Sequence, residues 1–130
     1  MTFPYITAIT AGVVLILQIL LAFSVSSGRG ATPLGDGGKD GLTRAIRRHG
    51  NLAENAGLFI AGFALLELAR FNTLTLEILC ALFVLVRLAH AYGMSQENTM
   101  NAFRGIGGVG TYLIGLVLGA ALLWAGLTVR

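Results

Sequence analysis

Charged residues are scarce in this chain of 130 residues, in which Asp, Glu, Lys and Arg together make up 12%. An ordinary soluble domain is about 25% charged. Two long segments, residues 2–27 and 105–129, contain none of these residues and no histidine. Each segment exceeds the roughly 20 apolar residues that a helix needs to cross a bilayer. The sequence therefore predicts an integral membrane protein rather than a soluble domain.

Cysteine is nearly absent, since Cys80 is the only one. An intramolecular disulfide and a cysteine-based metal site are thereby excluded, and we expect no metal. No basic residue precedes the first apolar segment and no small-x-small motif follows it, so we expect a membrane span rather than a signal peptide. The net charge is +3, but the basic residues flank the apolar segments, as is typical of membrane proteins. We therefore expect no nucleic-acid partner.

The hydropathy pattern predicts an all-α membrane protein, a bundle of four transmembrane helices that forms one domain over residues 1–130. The predicted helices cover about residues 5–27, 43–70, 74–93 and 105–128. Thr43 is the expected N-cap of the second helix, and the glycine-rich segment 28–41 is expected to be a turned or flexible linker. The third helix spans the bilayer only if its charges face other helices rather than lipid.

Basic residues in the connections predict the orientation in the membrane. They concentrate at the first connection and the start of the second helix: Arg29, Lys39, Arg44, Arg47 and Arg48. Arg104 precedes the fourth helix, whereas Arg70 and Arg130 belong to the other side. This excess places the loops 28–42 and 94–104 in the cytoplasm and both termini outside.

Glycines are frequent in the fourth helix, where Gly115 and Gly119 form a GxxxG pair. Small residues let helix backbones approach closely in a membrane, where hydrophobicity does not drive helices together. The pair predicts close helix packing, within the chain or between subunits.

Polar residues run into the second helix along one face. Their spacings of three and four residues place them in one stripe: Arg44, Arg47, Arg48, Asn51, Glu54 and Asn55. Glu54 lies about 16 Å along the helix from Thr43, at a rise of about 1.5 Å per residue. An isolated carboxylate at that depth costs at least a few kcal/mol, so it must face a polar cavity, be protonated or meet a cation. A purely structural ion pair is one of these outcomes.

Two other helices bring cations to the same end of the bundle. Arg87 and His90 are one turn apart on the third helix, with Tyr92 nearby, and Arg104 enters the fourth helix from the same side. A basic, partly desolvated pocket favours an anionic ligand, and arginine binds carboxylates through two parallel hydrogen bonds. Glu54 would then hold the ammonium group of a zwitterionic ligand or orient an arginine.

The segments "RAIRRHGNLAEN", "RLAHAYG" and "FRGIG" together resemble the MAPEG family, the membrane-associated proteins in eicosanoid and glutathione metabolism. The matching positions are Arg47, His49, Asn51 and Glu54 on the second helix, Arg87 and His90 on the third, and Arg104 at the fourth. The chain length, the "GDGG" segment and the tyrosine two places after the histidine are most similar to the small bacterial inner-membrane branch.

The resemblance implies a homotrimer with a cytoplasm-facing glutathione site between subunits. It implies a glutathione-dependent transferase or peroxidase, whose bound cosubstrate attacks a lipophilic electrophile or reduces a peroxide arriving from the lipid. Arg104 would be catalytic, because positive charge near a thiol favours the thiolate. The remaining expected site residues would bind glutathione: Arg47, Asn51, Glu54, Arg87, His90 and Tyr92.

The family also contains non-enzymatic members, so the sequence leaves a second function open. In that alternative, the protein binds a lipid or a partner protein between subunits and catalyses nothing. A third possibility, a small multidrug exporter with one membrane glutamate, fits poorly because five arginines would repel its cationic substrates.

Overall fold

Four α-helices make up the computed structural model, which describes residues 3–31, 34–98 and 100–128. The helices are α1 (Tyr5–Arg29), α2 (Asp40–Leu68), α3 (Thr73–Gly93) and α4 (Ala102–Thr128). The described ranges contain no strand. The predicted all-α membrane bundle is therefore confirmed. Thr32, Pro33 and Arg130, which the sequence analysis assigned to a loop and to a terminus, lie outside the described residues.

Three of the helices, α1, α3 and α4, are long and apolar enough to cross a membrane. The charged first half of α2 keeps it out of this group. Within the described residues, α2 and α3 contact each other and both outer helices, whereas α1 and α4 do not touch. The bundle therefore places the two helices that carry the polar residues between the two that lack them.

Aromatic rings fill the middle of the bundle. Phe59 and Phe83 stack with centroids 4.3 Å apart, and Phe63 meets both rings edge to face. Phe63 and Phe83 are fully buried. This apolar layer, contributed by α2 and α3, separates the polar end of the bundle from the opposite end.

Two helices, α2 and α4, begin about three residues earlier than predicted. At α4, the Asn101 side chain accepts a hydrogen bond from the backbone N–H of Arg104 at 3.0 Å, so the helix starts at Ala102 rather than near residue 105. The prediction that Thr43 caps α2 is wrong, since α2 begins at Asp40. The Thr43 hydroxyl instead donates to the Asp36 carboxylate at 2.7 Å and ties the helix to the preceding loop.

The α2 helix ends two residues earlier than predicted. Arg70 has a left-handed backbone, with φ of 55°, and its N–H donates to the Glu67 carbonyl while the Phe71 N–H donates to the Leu66 carbonyl. These two bonds form a Schellman motif, which stops a helix. Asn72 then caps α3 by accepting from the Thr75 N–H at 2.9 Å.

Glu67 of α2 binds the N-terminal end of α1. Its carboxylate accepts hydrogen bonds from the backbone N–H groups of Ile6 at 3.0 Å and Thr7 at 2.8 Å. These groups belong to the first turn of α1, where the helix dipole favours negative charge. The first helix, which has no side-chain cap of its own at Pro4, is therefore capped from α2.

Candidate functional site

A cavity of about 410 Å³ lies between α2, α3 and α4 at the end of the bundle where α2 begins and α3 ends. This volume falls within the range of roughly 300–1,000 Å³ typical of small-molecule sites. The wall residues come from all three helices: Ile46, Arg47, Gly50, Asn51, Glu54, His90, Met94 and Arg104. We call this space the polar cavity.

The α2 wall of the polar cavity follows from helical periodicity. Arg47, Asn51 and Glu54 are spaced by four and three residues and therefore share a face. Arg47 and Glu54 are exposed within one chain, and Glu54 forms no salt bridge with any described residue. Glu54 was predicted to face a polar cavity, be protonated or meet a cation. Within one chain it faces the polar cavity and has no ion-pair partner among the described residues.

Arg87 lies behind the polar cavity rather than in its wall. Only 3% of this residue is exposed, and its guanidinium donates to the Asn51 Oδ1 and, at 3.1 Å, to the Thr111 hydroxyl. The Thr111 hydroxyl donates in turn to the Gly107 carbonyl at 2.7 Å. Both partners of Arg87 are neutral, so its charge is hydrogen-bonded but not balanced by a carboxylate among the described residues. A buried cation in that state raises the affinity of the adjoining space for an anion.

The bond from Arg87 also determines how Asn51 faces the cavity. A guanidinium only donates hydrogen bonds, so the Asn51 group that it meets must be the amide oxygen. The Asn51 NH₂ group then remains as a donor beside the cavity. Arg87 therefore acts on a ligand through Asn51, as a positioning residue and a source of positive potential.

His90 reaches the polar cavity because α3 and α4 approach closely at glycines. A methyl group at Gly107 would lie 2.6 Å from both the Cα and the N of His90. Gly93 makes a similar approach, with the Arg104 Cα at 2.9 Å from the position that a Cβ would take. His90 is only 7% exposed, and its Nδ1 has no hydrogen-bond partner among the described residues. An unpaired buried nitrogen in a cavity wall is a candidate ligand contact.

Arg104 lies where two cavities meet. It is the third residue of α4, half-buried, and lines both the polar cavity and a second space of about 380 Å³ beside Val109 and Tyr112. Its Nη1 contacts the Met100 sulfur at 3.8 Å. A group bound in the polar cavity and an apolar molecule beside Tyr112 would both be within reach of this guanidinium.

Five of the seven predicted site residues line the polar cavity: Arg47, Asn51, Glu54, His90 and Arg104. Arg87 supports it from behind. Tyr92 does not line it; this residue is 54% exposed, and its ring meets Phe103 edge to face at 5.0 Å. Residues two apart lie about 200° apart on a helix, so the rotation that brings Met94 into the wall turns Tyr92 away.

Three other polar residues of α2, Arg48, His49 and Asn55, contact α1 or their own helix. Arg48 donates to the Ser24 hydroxyl at 3.0 Å, and the His49 Nε2 contacts the Gln18 amide nitrogen at 2.7 Å. That nitrogen can only donate, so the His49 Nε2 accepts. Asn55 donates to the Asn51 carbonyl. The stripe therefore divides, with one edge facing the polar cavity and the other fastening α2 to α1.

Three wall residues escaped the sequence analysis: Ile46, Gly50 and Met94. Each is four residues along the chain from another wall residue, and Met94 directly follows α3, so helical periodicity could have identified them. Apolar residues and glycine have no polar signal, which is why only geometry reveals them.

The chain was compared with known proteins. No curated protein and no solved structure matches it. The sequence model of the MAPEG family matches residues 6–124, a range that contains every residue of the polar cavity. The chain therefore belongs to the MAPEG family.

Proposed function

We propose that this integral membrane protein is a glutathione-dependent transferase or peroxidase that acts on lipophilic electrophiles. Glutathione, the cosubstrate, would bind in the polar cavity as an anionic peptide with one ammonium group. The observation that carries the proposal is the charge of the cavity: Arg47 and Arg104 line it, the buried Arg87 lies behind it, and Glu54 is the one carboxylate among the described wall residues.

Each end of glutathione has a matching partner in this arrangement. Arginine pairs with carboxylates through parallel hydrogen bonds, so Arg47 would hold a carboxylate of the peptide. The Asn51 NH₂ group would donate to a peptide carbonyl of glutathione. The unpaired His90 Nδ1 would form a hydrogen bond with a neighbouring polar group of the peptide. Glu54 would receive the ammonium group.

Arg104 would activate the thiol. A nearby guanidinium lowers the pKa of a thiol because it stabilises the thiolate, and the released proton passes to water. The thiolate would then attack an electrophilic carbon held beside Val109 and Tyr112, forming a C–S bond as the leaving group departs. With a peroxide, the thiolate would attack the distal oxygen, break the O–O bond and release the alcohol after protonation. The resulting sulfenic acid would react with a second glutathione to give the disulfide and water.

We further propose a homotrimer in a bacterial inner membrane, with the polar cavity facing the cytoplasm. The exposed Glu54 supports assembly, since a carboxylate of a membrane-embedded helix is costly against lipid and a neighbouring subunit would cover it. The basic residues near the polar cavity support the orientation. Native mass spectrometry of the detergent-solubilised protein tests the assembly: trimers should predominate, and monomers alone would contradict this part.

Binding of glutathione to the purified protein tests the function. Gly50 and Gly57 both lie on α2 with open space around them, but only Gly50 lines the polar cavity. A Gly50→Leu variant should raise the dissociation constant by at least about tenfold, equal to about 1.4 kcal/mol. The matched control, Gly57→Leu, should leave it unchanged.

Conjugation of a chlorinated dinitroaromatic, with loss of chloride, tests the chemistry. Turnover that disappears in Arg104→Ala, while glutathione binding persists, would support thiolate activation by this residue. Absence of glutathione binding at millimolar concentration would reject the proposal.

A second function, non-catalytic binding of a lipid or partner protein, is favoured by one observation. No tyrosine lines the polar cavity among the described residues, so Arg104 would have to activate the thiol without one. This alternative predicts a co-purifying lipid and no conjugation, and turnover dependent on Arg104 would reject it.

A further inference from the structure

A second large cavity lies at the opposite end of the bundle from the polar cavity. It has a volume of about 590 Å³ and lies between the α2–α3 connection and the last two turns of α4. The described residues of its walls include one charged residue and no carboxylate: Ala69, Arg70, Phe71, Asn72, Ala121, Trp124, Ala125 and Thr128. We call this space the Trp124 cavity.

The apolar part of the Trp124 cavity is built around two rings. Phe71 and Trp124 meet edge to face with centroids 6.2 Å apart, and Trp124 is 60% exposed. Tryptophan in this position, near the end of a membrane helix, is typical of the boundary between hydrocarbon and lipid headgroups. A lipid acyl chain would fit against these rings and the alanines of α4.

Some polar side-chain groups of the Trp124 cavity have a hydrogen-bond partner within the described residues, and others do not. The side-chain amide oxygen of Asn72 caps α3 by accepting from the Thr75 N–H. The Thr128 hydroxyl donates to the backbone carbonyl of Trp124 at 2.8 Å. Neither the guanidinium of Arg70 nor the indole N–H of Trp124 has a hydrogen-bond partner among the described residues. Both available groups are donors, which suits an anion.

A carboxylate lies near Arg70, because Glu67 and Arg70 together line a neighbouring cavity. Glu67 is one turn before it on α2, but both Glu67 oxygens accept hydrogen bonds from the first turn of α1. No salt bridge joins Glu67 and Arg70 in the described part of the chain. The N–H groups of the Arg70 guanidinium are therefore available to a ligand of the cavity.

The backbone of Arg70 adds an independent observation. This residue occupies the left-handed position of the Schellman motif, where glycine is the usual residue because it lacks a Cβ. An arginine there carries a conformational cost that glycine would remove. A backbone outlier of this kind points to a role for the side chain beyond folding.

We propose that the Trp124 cavity binds an anionic phospholipid. The lipid phosphate would accept hydrogen bonds from the Arg70 guanidinium and the Trp124 indole, and an acyl chain would lie against Phe71 and Ala121. A zwitterionic lipid would bind less well, since no described residue of the cavity wall offers a carboxylate to its ammonium group. This site is separate from the polar cavity and does not depend on the proposed function.

Fluorescence tests this proposal directly, because Trp124 is the single tryptophan of the chain. The protein would be placed in bilayers with phosphatidylcholine or phosphatidylglycerol carrying brominated acyl chains, which quench a neighbouring indole. We expect the relative binding constant for phosphatidylglycerol to exceed that for phosphatidylcholine by about fivefold, the factor for one basic residue near a lipid headgroup. High salt should reduce this preference.

Three variants assign the effect to Arg70. Arg70→Gln should abolish the preference for phosphatidylglycerol, whereas Arg44→Gln, which removes a cation at the other end of the bundle, should retain it. Arg70→Gly should also abolish the preference and raise the thermal midpoint of unfolding, a combination that a merely structural arginine would not produce. Equal quenching by the two lipids in the parent protein, or a preference that survives in Arg70→Gln and Arg70→Gly, would overturn the proposal.

Discussion

Replacing Gly107 by alanine should separate α3 from α4 and disturb the polar cavity. The added methyl group would lie 2.6 Å from the Cα and N of His90, whereas carbon atoms ordinarily rest about 3.5–4.0 Å apart. The two helices would have to move apart by about 1 Å, because the obstructing atoms belong to a backbone and cannot rotate away.

The expected cost follows from two opposing contributions. Overpacking a tight contact typically destabilises a protein by about 1–3 kcal/mol, and a backbone obstacle favours the upper end of that range. Alanine also has a higher helix propensity than glycine by about 1 kcal/mol. We therefore expect Gly107→Ala to lower the free energy of unfolding by about 2 kcal/mol.

The neighbouring Gly108 provides the matched control. A Cβ at Gly108 would meet nothing within 4 Å, so Gly108→Ala gains the helix propensity of about 1 kcal/mol and loses nothing. The two adjacent variants should therefore differ by about 3 kcal/mol. Unfolding in detergent micelles with increasing dodecyl sulfate, followed by circular dichroism, measures this difference. If Gly107→Ala were as stable as Gly108→Ala, the close approach of α3 and α4 at His90 would be refuted.

Three further perturbations test other parts of the bundle. Glu67→Ala should lower the free energy of unfolding by about 1–2 kcal/mol, the usual value of a helix cap. Glu67→Gln should lower it less, because glutamine keeps one acceptor oxygen. Equal stability of the parent protein and the alanine variant would contradict the capping role. Arg87→Lys keeps the charge, but an ammonium group cannot reach two partners as a guanidinium does. The free energy of unfolding in dodecyl sulfate should therefore fall by about 1.5–3 kcal/mol. An unchanged value would show that these hydrogen bonds contribute little. The Gly38 N–H and the Thr43 hydroxyl bind the Asp36 carboxylate and hold its pKa below the ordinary value of 3.8. Its stabilising contribution is therefore complete above pH 3.8 and is lost as the pH falls through the lower folded pKa; proteolysis of the loop should show this loss in the parent and not in Asp36→Asn.

The outer parts of the fold were predictable because their signal is local. The first and last apolar segments contain no charge for about 25 residues, and α1 and α4 coincide with them apart from a few terminal residues. The start of α4, which was missed, depends on a single side chain, that of Asn101, whose hydrogen bond forms only when the turn adopts the right shape. A sequence shows that an asparagine is present but not which backbone N–H it meets.

The glycine pattern shows a similar limit. The GxxxG pair at Gly115 and Gly119 is divided in the structure, since a Cβ at Gly115 would touch the Phe59 ring at 3.1 Å and one at Gly119 would meet nothing within 4 Å. The closest approaches occur at Gly93 and Gly107, which the motif does not include. Which glycine faces a neighbouring backbone depends on the rotation of α4 about its axis, and spacing along the chain does not determine that rotation.

The polar cavity could be predicted only in part, because the sequence does not determine how the helices are rotated against one another. Periodicity correctly placed Arg47, Asn51 and Glu54 on one face of α2, since residues of one helix fix their own relative directions. The partners of Arg87 could not be predicted, because Thr111 lies 24 residues away on a different helix. Tyr92 was chosen for its chemistry and its proximity in sequence, whereas the rotation of α3 directs Met94 into the cavity instead.

The arrangement of the helices explains how charges are accommodated in so apolar a chain. The described parts of α1 and α4 contain only terminal cations, and these helices flank α2 and α3 without touching each other. Arg87 consequently lies in the interior of the bundle, where neutral groups of α2 and α4 bind it. Glu54 lacks such cover within one chain, and a carboxylate at that depth is not stable against hydrocarbon. In the proposed trimer, a neighbouring subunit would cover the open side of α2 and enclose the polar cavity.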